Sequence, residues 1–266
     1  MSKKLNIGQA MDVAWRLTTK NFPYFLGLTV IMFLVNIFFY ASKGILMKNE
    51  VDKAIIILLN LIGWIIEVVM GMGFIKVSLD ILAGKKDPIS TLFSSYKPIL
   101  KYLGAGILGV IISAGPIIFI LAGWGISNFV VSQILFGGEK LESIAKIMNI
   151  TLGILGIISV LYAIFMSIRL MFSPYFIMDK DSGAIESLKL SFRATKGEIW
   201  GLFGFNILIA VINFVGSIPF ALGLFLTIPL SMIAAAAAYR QITSTYSPES
   251  ITASEKIEAK TETAAA

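Results

Sequence analysis

The sequence predicts an all-α membrane fold: a bundle of six transmembrane helices built from three repeats of an interfacial amphipathic helix followed by a transmembrane hairpin. Three observations lead there. The first is composition. Hydrophobic residues make up 57% of the chain and charged residues only 14%, where a soluble domain carries about 25% charged, so most of this chain is unsuited to water. The second is the run from Gly201 to Tyr239, which contains no charged residue. A bilayer core of about 30 Å needs about 20 apolar residues at 1.5 Å each, so the run can cross twice. Gly216, Ser217 and Pro219 sit near its middle, where a tight turn needs them. The third is that two looser copies of the same pattern precede it.

In chain order, the first twenty residues are polar and amphipathic. Asn6 and Gln9 have the spacing of a capping box, and Ile7, Ala10, Met11, Ala14 and Thr18 share one helical face, predicting a short helix lying on the membrane surface. A first span follows over 24–41. It comes too late for a compact secretory signal, and no small-residue cleavage site follows it, so it is read as a span rather than a removed peptide. The second span covers 54–75. Asp87 and Pro88 then occupy helix-cap positions before an apolar stripe of Ile89, Leu92, Phe93 and Tyr96, a second interfacial helix. A third span is expected over 99–122. A half-apolar loop holding GGEKLESIAK leads to a fourth over 150–172. Asp181 or Ser182 opens a third amphipathic stretch before the final hairpin. Beyond residue 246, SPESITASEKIEAKTETAAA holds too little apolar surface to order itself, and 247–266 is read as a disordered cytoplasmic tail.

Laying the segments over one another without gaps tests the repeat. A shift of 177 residues places Trp15 on Phe192, Arg16 on Arg193, Thr18 on Thr195, Gly27 on Gly204 and Asn36 on Asn213. A shift of 77 places Gly27 on Gly104 and Asn36 on Ser113. The repeats cover about 5–82, 83–178 and 181–243 of a single polytopic domain, 1–246. The even-numbered spans end alike, in FIKVS, SIRLM and AYRQI, which puts Lys76, Arg169 and Arg240 at one membrane face as candidate headgroup contacts.

Orientation follows from the basic residues, because cytoplasmic loops carry the excess of lysine and arginine. With six spans one face receives Lys3, Lys4, Arg16, Lys20, Lys76, Lys85, Lys86, Lys97, Lys101, Arg169, Lys180, Lys189, Arg193, Lys196, Arg240, Lys256 and Lys260; the other receives Lys43, Lys48, Lys53, Lys140 and Lys146. The expectation is a multi-pass protein of the cell (inner) membrane with both termini in the cytoplasm. The three amphipathic stretches then share the face where anionic lipid headgroups attract basic residues. Since these residues track the membrane boundary, the basic pI of about 9.4 does not point to nucleic acid.

Three stretches carry a resemblance: KVSLDILAGKKDPISTLF, RLMFSPYFIMDKDSGAIESLKLSFRATKGEIWGLF and TIPLSMIAAAAAYRQI. The chain, from about Leu5 to Thr243, resembles the membrane domain attached to some glycerophosphoryl diester phosphodiesterases and its stand-alone relatives, a large group of uncharacterised prokaryotic integral membrane proteins. In the enzyme-linked relatives the chemistry belongs to a separate soluble barrel that depends on histidines and metal-binding carboxylates. This chain has no histidine and no length for that barrel, so the resemblance implies a membrane fold and not a phosphodiesterase.

Candidate functional residues are few. With no cysteine or histidine, thiolate chemistry, haem ligation and Cys or His zinc sites fall away, and no cofactor or metal is expected. There is no phosphate-binding loop with its lysine. Glu67 is the one acidic residue deep in a span. An intramembrane carboxylate is a functional-site hypothesis by default, here a proton or cation site, against the plainer reading of a protonated acid hydrogen-bonded to a neighbouring helix. Asn36, Ser113 and Asn213 share one register position and form a candidate polar cluster, with interhelical packing as the plainer reading. Ala105, Gly109 and Ser113, and the run Ala234 to Ala238, form small-residue seams that favour close helix packing, within the bundle or against a second copy.

The function expected is a non-enzymatic membrane protein organising lipids or partner proteins, as an accessory to secretion or envelope maintenance. Its expected partners are membrane lipids, a membrane protein and another copy of the chain. The alternative is a small transporter or exporter of a cationic or amphipathic compound, with Glu67 as coupling carboxylate.

Overall fold

The computed structural model describes residues 5–48, 52–85, 96–134, 139–218 and 222–243, and every regular element in them is α-helical. The helices are α1 (Ile7–Lys20), α2 (Phe22–Lys48), α3 (Lys53–Leu82), α4 (Ile99–Ile134), α5 (Glu139–Leu170), α6 (Ser173–Lys180), α7 (Ala184–Ala194), α8 (Ile199–Ser217) and α9 (Leu224–Ile242). Six of them, α2 to α5, α8 and α9, contain segments long and apolar enough to cross a membrane, so the chain is a multi-pass membrane protein. Each expected span is present. The expected interfacial stretch around Asp87, Ile89 and Phe93 lies outside the described residues, as do Pro219 and the tail.

Three local expectations change. Instead of a loop at GGEKLESIAK, α5 already begins at Glu139 and α4 runs on to Ile134. Those helices hold 32 and 36 residues, so the second hairpin is far longer than a crossing requires, whereas α8 and α9, at 19 residues each, just match one. The fourth span does not continue to Phe172: it breaks after Leu170, and a separate helix, α6, follows with proline at its first turn, where the missing N–H costs nothing. Finally, α7 is capped one or two residues later than expected, by Gly183, whose N–H donates to Glu186 at 3.2 Å, while Asp181 ends α6 in the left-handed region at φ 52°.

The capping box at α1 forms only by half. Asn6 Oδ1 accepts from the Gln9 N–H at 2.9 Å, but the Asn6 N–H donates to Gln241 Oε1 of α9 at 2.9 Å instead of being closed by Gln9. That exchange of partner shows where α1 lies. Its apolar face does not rest on lipid. Ala10, Val13, Ala14, Leu17 and Thr18 are buried against the protein, chiefly on α9, and Trp15 and Arg16 are left on the outer face.

The helices pack most closely at one end of the bundle, termed the base. There α9 touches α1, α2, α3 and α8; α6 bridges α3 to α4 and α7; α7 packs on α4 and α5; and α5 meets α8. Ala234, Ala236, Ala237 and Ala238 are fully buried, and the small side chains let several helices approach α9 closely. On α4, a side chain at Gly104 would stand 3.3 Å from Ala184 and one at Gly109 3.8 Å from Leu188, so that seam receives α7. Away from the base Ile31, Leu34, Ile57, Ile111, Phe119, Ile157 and Val211 are all exposed on the isolated chain. An apolar surface of this extent requires a lipid covering.

Candidate functional site

Most buried polar groups among the described residues collect at the base, just where the apolar spans end. Asp179, on α6, accepts from both ends of the Arg240 guanidinium, Nη2 to Oδ1 at 2.8 Å and Nη1 to Oδ2 at 3.2 Å, and from the Tyr239 hydroxyl at 3.0 Å. The planar fork of arginine matches a carboxylate in this bidentate way. Tyr239 is wholly buried, stacked on Tyr175 at 5.5 Å and edge-on to Phe176 at 5.0 Å, so an aromatic wall screens the ion pair from one side. The position of α6 is fixed in turn by α7: Ser191 Oγ donates to the Arg169 carbonyl at 2.8 Å and accepts from the Phe172 N–H at 3.1 Å, closing the backbone groups left open where α5 breaks.

A second cluster lies at the end of α3. Asp80 is buried; its Oδ1 accepts from Lys85 Nζ at 2.9 Å and lies 3.8 Å from Lys76 Nζ. Lys76 also donates to the Met178 carbonyl at 3.2 Å, which ties α3 to α6. Elsewhere in the base the Leu5 N–H donates to Glu198 at 3.2 Å, so the segment before α1 is held by the turn before α8. The Asp179–Arg240 pair joins α6 to α9 and sets their register, whereas the cations that face Asp80 both belong to the end of α3. Among the described residues no group of three His, Cys, Asp or Glu is placed to hold a metal ion.

The residues singled out from the sequence separate sharply. Of the three candidate headgroup contacts, Arg240 and Lys76 are turned into the base and committed to the partners just described. Arg169 is buried too, but against rings: its guanidinium carbon lies 3.8 Å from the centre of Phe192 and 6.0 Å from that of Phe165. The three register-matched polar residues are not joined by hydrogen bonds. Asn36 donates to the Met32 carbonyl of its own helix at 3.0 Å, Ser113 to the Gly109 carbonyl at 2.7 Å, and Asn213 across its hairpin to Ser231 at 2.9 Å. Glu67 is exposed on α3 and makes no hydrogen bond or ion pair with a described residue. A groove of about 440 Å³ between α5 and α8, lined by Val160, Ile164, Ser167, Phe203 and Asn206 among others, does not include it.

Asp179, Glu198, Tyr239 and Gln241 are the members of the base that sequence reasoning passed over, whereas the i, i+4 spacing of Lys76 and Asp80 by itself suggests a helix-end ion pair, and the two lie 3.8 Å apart. The signal for Asp179 was an acidic residue inside an apolar phrase at a span end, YFIMDK. A boundary aspartate reads as solvated until a second helix is known to cover it.

A family model described as Domain of unknown function (DUF7847) matches residues 60–253. No curated protein and no solved structure matches the chain.

Proposed function

The chain belongs to this family, a domain of unknown function, and on that premise we propose that it is a non-enzymatic membrane protein that organises anionic lipids at the cytoplasmic face. The observation that carries the reading is the outer face of α1 and α7. Both helices bury one side in the base and leave the other exposed with an aromatic residue beside cations: Trp15 next to Arg16 on α1, and Phe192 next to Arg193, with Lys189, on α7. An aromatic ring at headgroup depth flanked by basic residues is what an anionic leaflet binds. The orientation, with base and termini in the cytoplasm of a cell membrane, rests on the excess of lysine and arginine at that end.

The threefold repeat belongs to the same reading. Under the shift of 177 residues the start of α1 falls on the start of α7 and that of α2 on that of α8, and Ala10, Ala14, Thr18, Phe25 and Leu28 fall on the buried Ser187, Ser191, Thr195, Leu202 and Phe205. These coincidences support the repeat. The proposed kinship with phosphodiesterase-linked membrane domains rests on the three stretches that resemble them, and much of the base is built from these. A role for partner proteins or a second copy has no observation of its own, and neither has transport, which would need a water-lined path to Glu67.

The test is to extract the protein in polymer nanodiscs from its membrane and compare the bound phospholipids with the bulk. Enrichment of anionic lipid is expected, with loss of the enrichment when Arg16, Lys20, Lys189 and Arg193 are changed together to Gln. A retained lipid shell identical to the bulk membrane in both proteins would refute the proposal.

A further inference from the structure

Three cations end the even-numbered spans, and the base treats them differently. Arg240 has a carboxylate on both arms, and Lys76 has a carbonyl and a carboxylate. Arg169 has neither. Its Nε is sealed from solvent without a hydrogen-bond acceptor, no guanidinium nitrogen makes a hydrogen bond to a described residue, and only 7% of the residue is exposed. Of the five N–H donors of the guanidinium, the one on Nε is sealed from solvent and unmet, and the four on the Nη atoms have no protein acceptor among the described residues and open to the surface, so the arrangement is ready for an anion from outside. Phe192 supplies a platform at 3.8 Å that holds the guanidinium plane, and the hydroxyls of Ser191 and Thr195, at 2.8 and 3.3 Å, fix the Arg169 carbonyl beneath it. The ring is 40% exposed, and Lys189, one turn earlier on α7, is exposed on the same side, so the platform lies at the protein surface and a second cation stands near it.

We infer that Arg169, stacked on Phe192 and assisted by Lys189, binds the phosphate of a single anionic phospholipid tightly, as a discrete site within the lipid-organising role proposed above, on which this inference rests. A planar fork recognises phosphate bidentately, and the exposed ring of Phe165, one turn up α5 toward the membrane interior, leaves an apolar surface on which the acyl chains lie. The chemistry would serve a free phosphate as well; the apolar flank favours the lipid.

The experiment is native mass spectrometry of the full chain in detergent, titrated with dioleoylphosphatidylglycerol and, separately, with dioleoylphosphatidylcholine. One tightly held phosphatidylglycerol is expected for the natural sequence. Arg169→Gln should weaken it by about tenfold or more, since charge-assisted hydrogen bonds are lost. Arg169→Lys, which keeps the charge without the fork, should fall between the two, and Lys53→Gln, at the opposite end of α3, should bind as the natural protein does. If Arg169→Gln does not fold, Arg169→Lys and Phe192→Leu decide the matter, each with a smaller loss expected. Equal affinity in the natural protein and these variants would overturn the site while leaving the wider lipid reading intact. No preference of the natural protein for phosphatidylglycerol over phosphatidylcholine would sink both. Displacement of the lipid by millimolar inorganic phosphate would overturn the lipid as the ligand.

Discussion

The base and the outer half of this bundle are made from the same helices and are held together by different forces. At the base, α9 is covered on several sides, four of its alanines are fully buried, and Asp179 meets Arg240 across helices. In the outer half the contacts run mainly within hairpins, as where Gly63 of α3 receives the ring of Phe39 of α2, and most large apolar side chains face outward. In lipid there is no hydrophobic gain from burying leucine against leucine, so helices associate through close backbone approach and polar contacts. The base has both and the outer half has little of either. The difference teaches where this fold is specified: the spans bring the helices into the membrane, and the base arranges them.

Substitutions that attack the two regions should differ by an order of magnitude. The largest effect is expected from Asp179→Ala, which leaves the half-buried Arg240 without its carboxylate and should cost about 3 kcal/mol, the low end of the range for a fully buried pair. Denaturation in mixed micelles would show it, and a loss below about 1 kcal/mol would mean that the pair is not a principal tie. Next is Ala237→Leu, which forces a large side chain between α9 and its neighbours and should cost about 1–3 kcal/mol by the same assay, with greater protease sensitivity in the loops. Gly223→Ala probes a tight spot at the outer end: a β-carbon there would stand 2.5 Å from the Gly216 carbonyl oxygen, so α8 and α9 must move apart. A cost within the same range is expected, seen as increased crosslinking distance between cysteines introduced on the two helices. Asn213→Val removes the hydrogen bond to Ser231 and should cost only about 0.6 kcal/mol. At the bottom of the scale, Leu34→Ala on the exposed face of α2 should lie within about 0.5 kcal/mol of zero; a large loss would mean that another protein or another copy covers that face.

The legibility of the sequence follows the same division. The spans could be read because lipid imposes one rule on every residue that faces it, and a long uncharged run obeys that rule without regard to neighbours. The hairpin of α8 and α9 was visible for this reason, as was the alanine seam on α9. Helix ends were harder. Nothing local distinguishes the break after Leu170 from a continuing span, since LMFSPYFIM is apolar throughout; the break stands because Ser191, some twenty residues on, satisfies the freed backbone groups. The candidate site was legible in its residue types and not in its pairing. Lys76, Arg169 and Arg240 look equivalent in sequence, each a cation after a span. Yet Arg240 meets Asp179, Lys76 meets Met178 and Asp80, and Arg169 meets only rings. Those partners lie as far as a hundred residues away.

By itself the sequence determined that this is a helical, multi-pass membrane protein with six segments long and apolar enough to cross, because the number and length of apolar runs are set by the solvent and not by the fold. Only the tertiary structure decided that the apolar face of α1 rests on α9 instead of on lipid, that Asp80 and Asp179 are interior groups, and which span-end cation keeps its donors unengaged. Each is a question of which helix covers which. The answer depends on side-chain shape and hydrogen-bond geometry between segments distant in sequence, and hydropathy along a single chain carries no record of it.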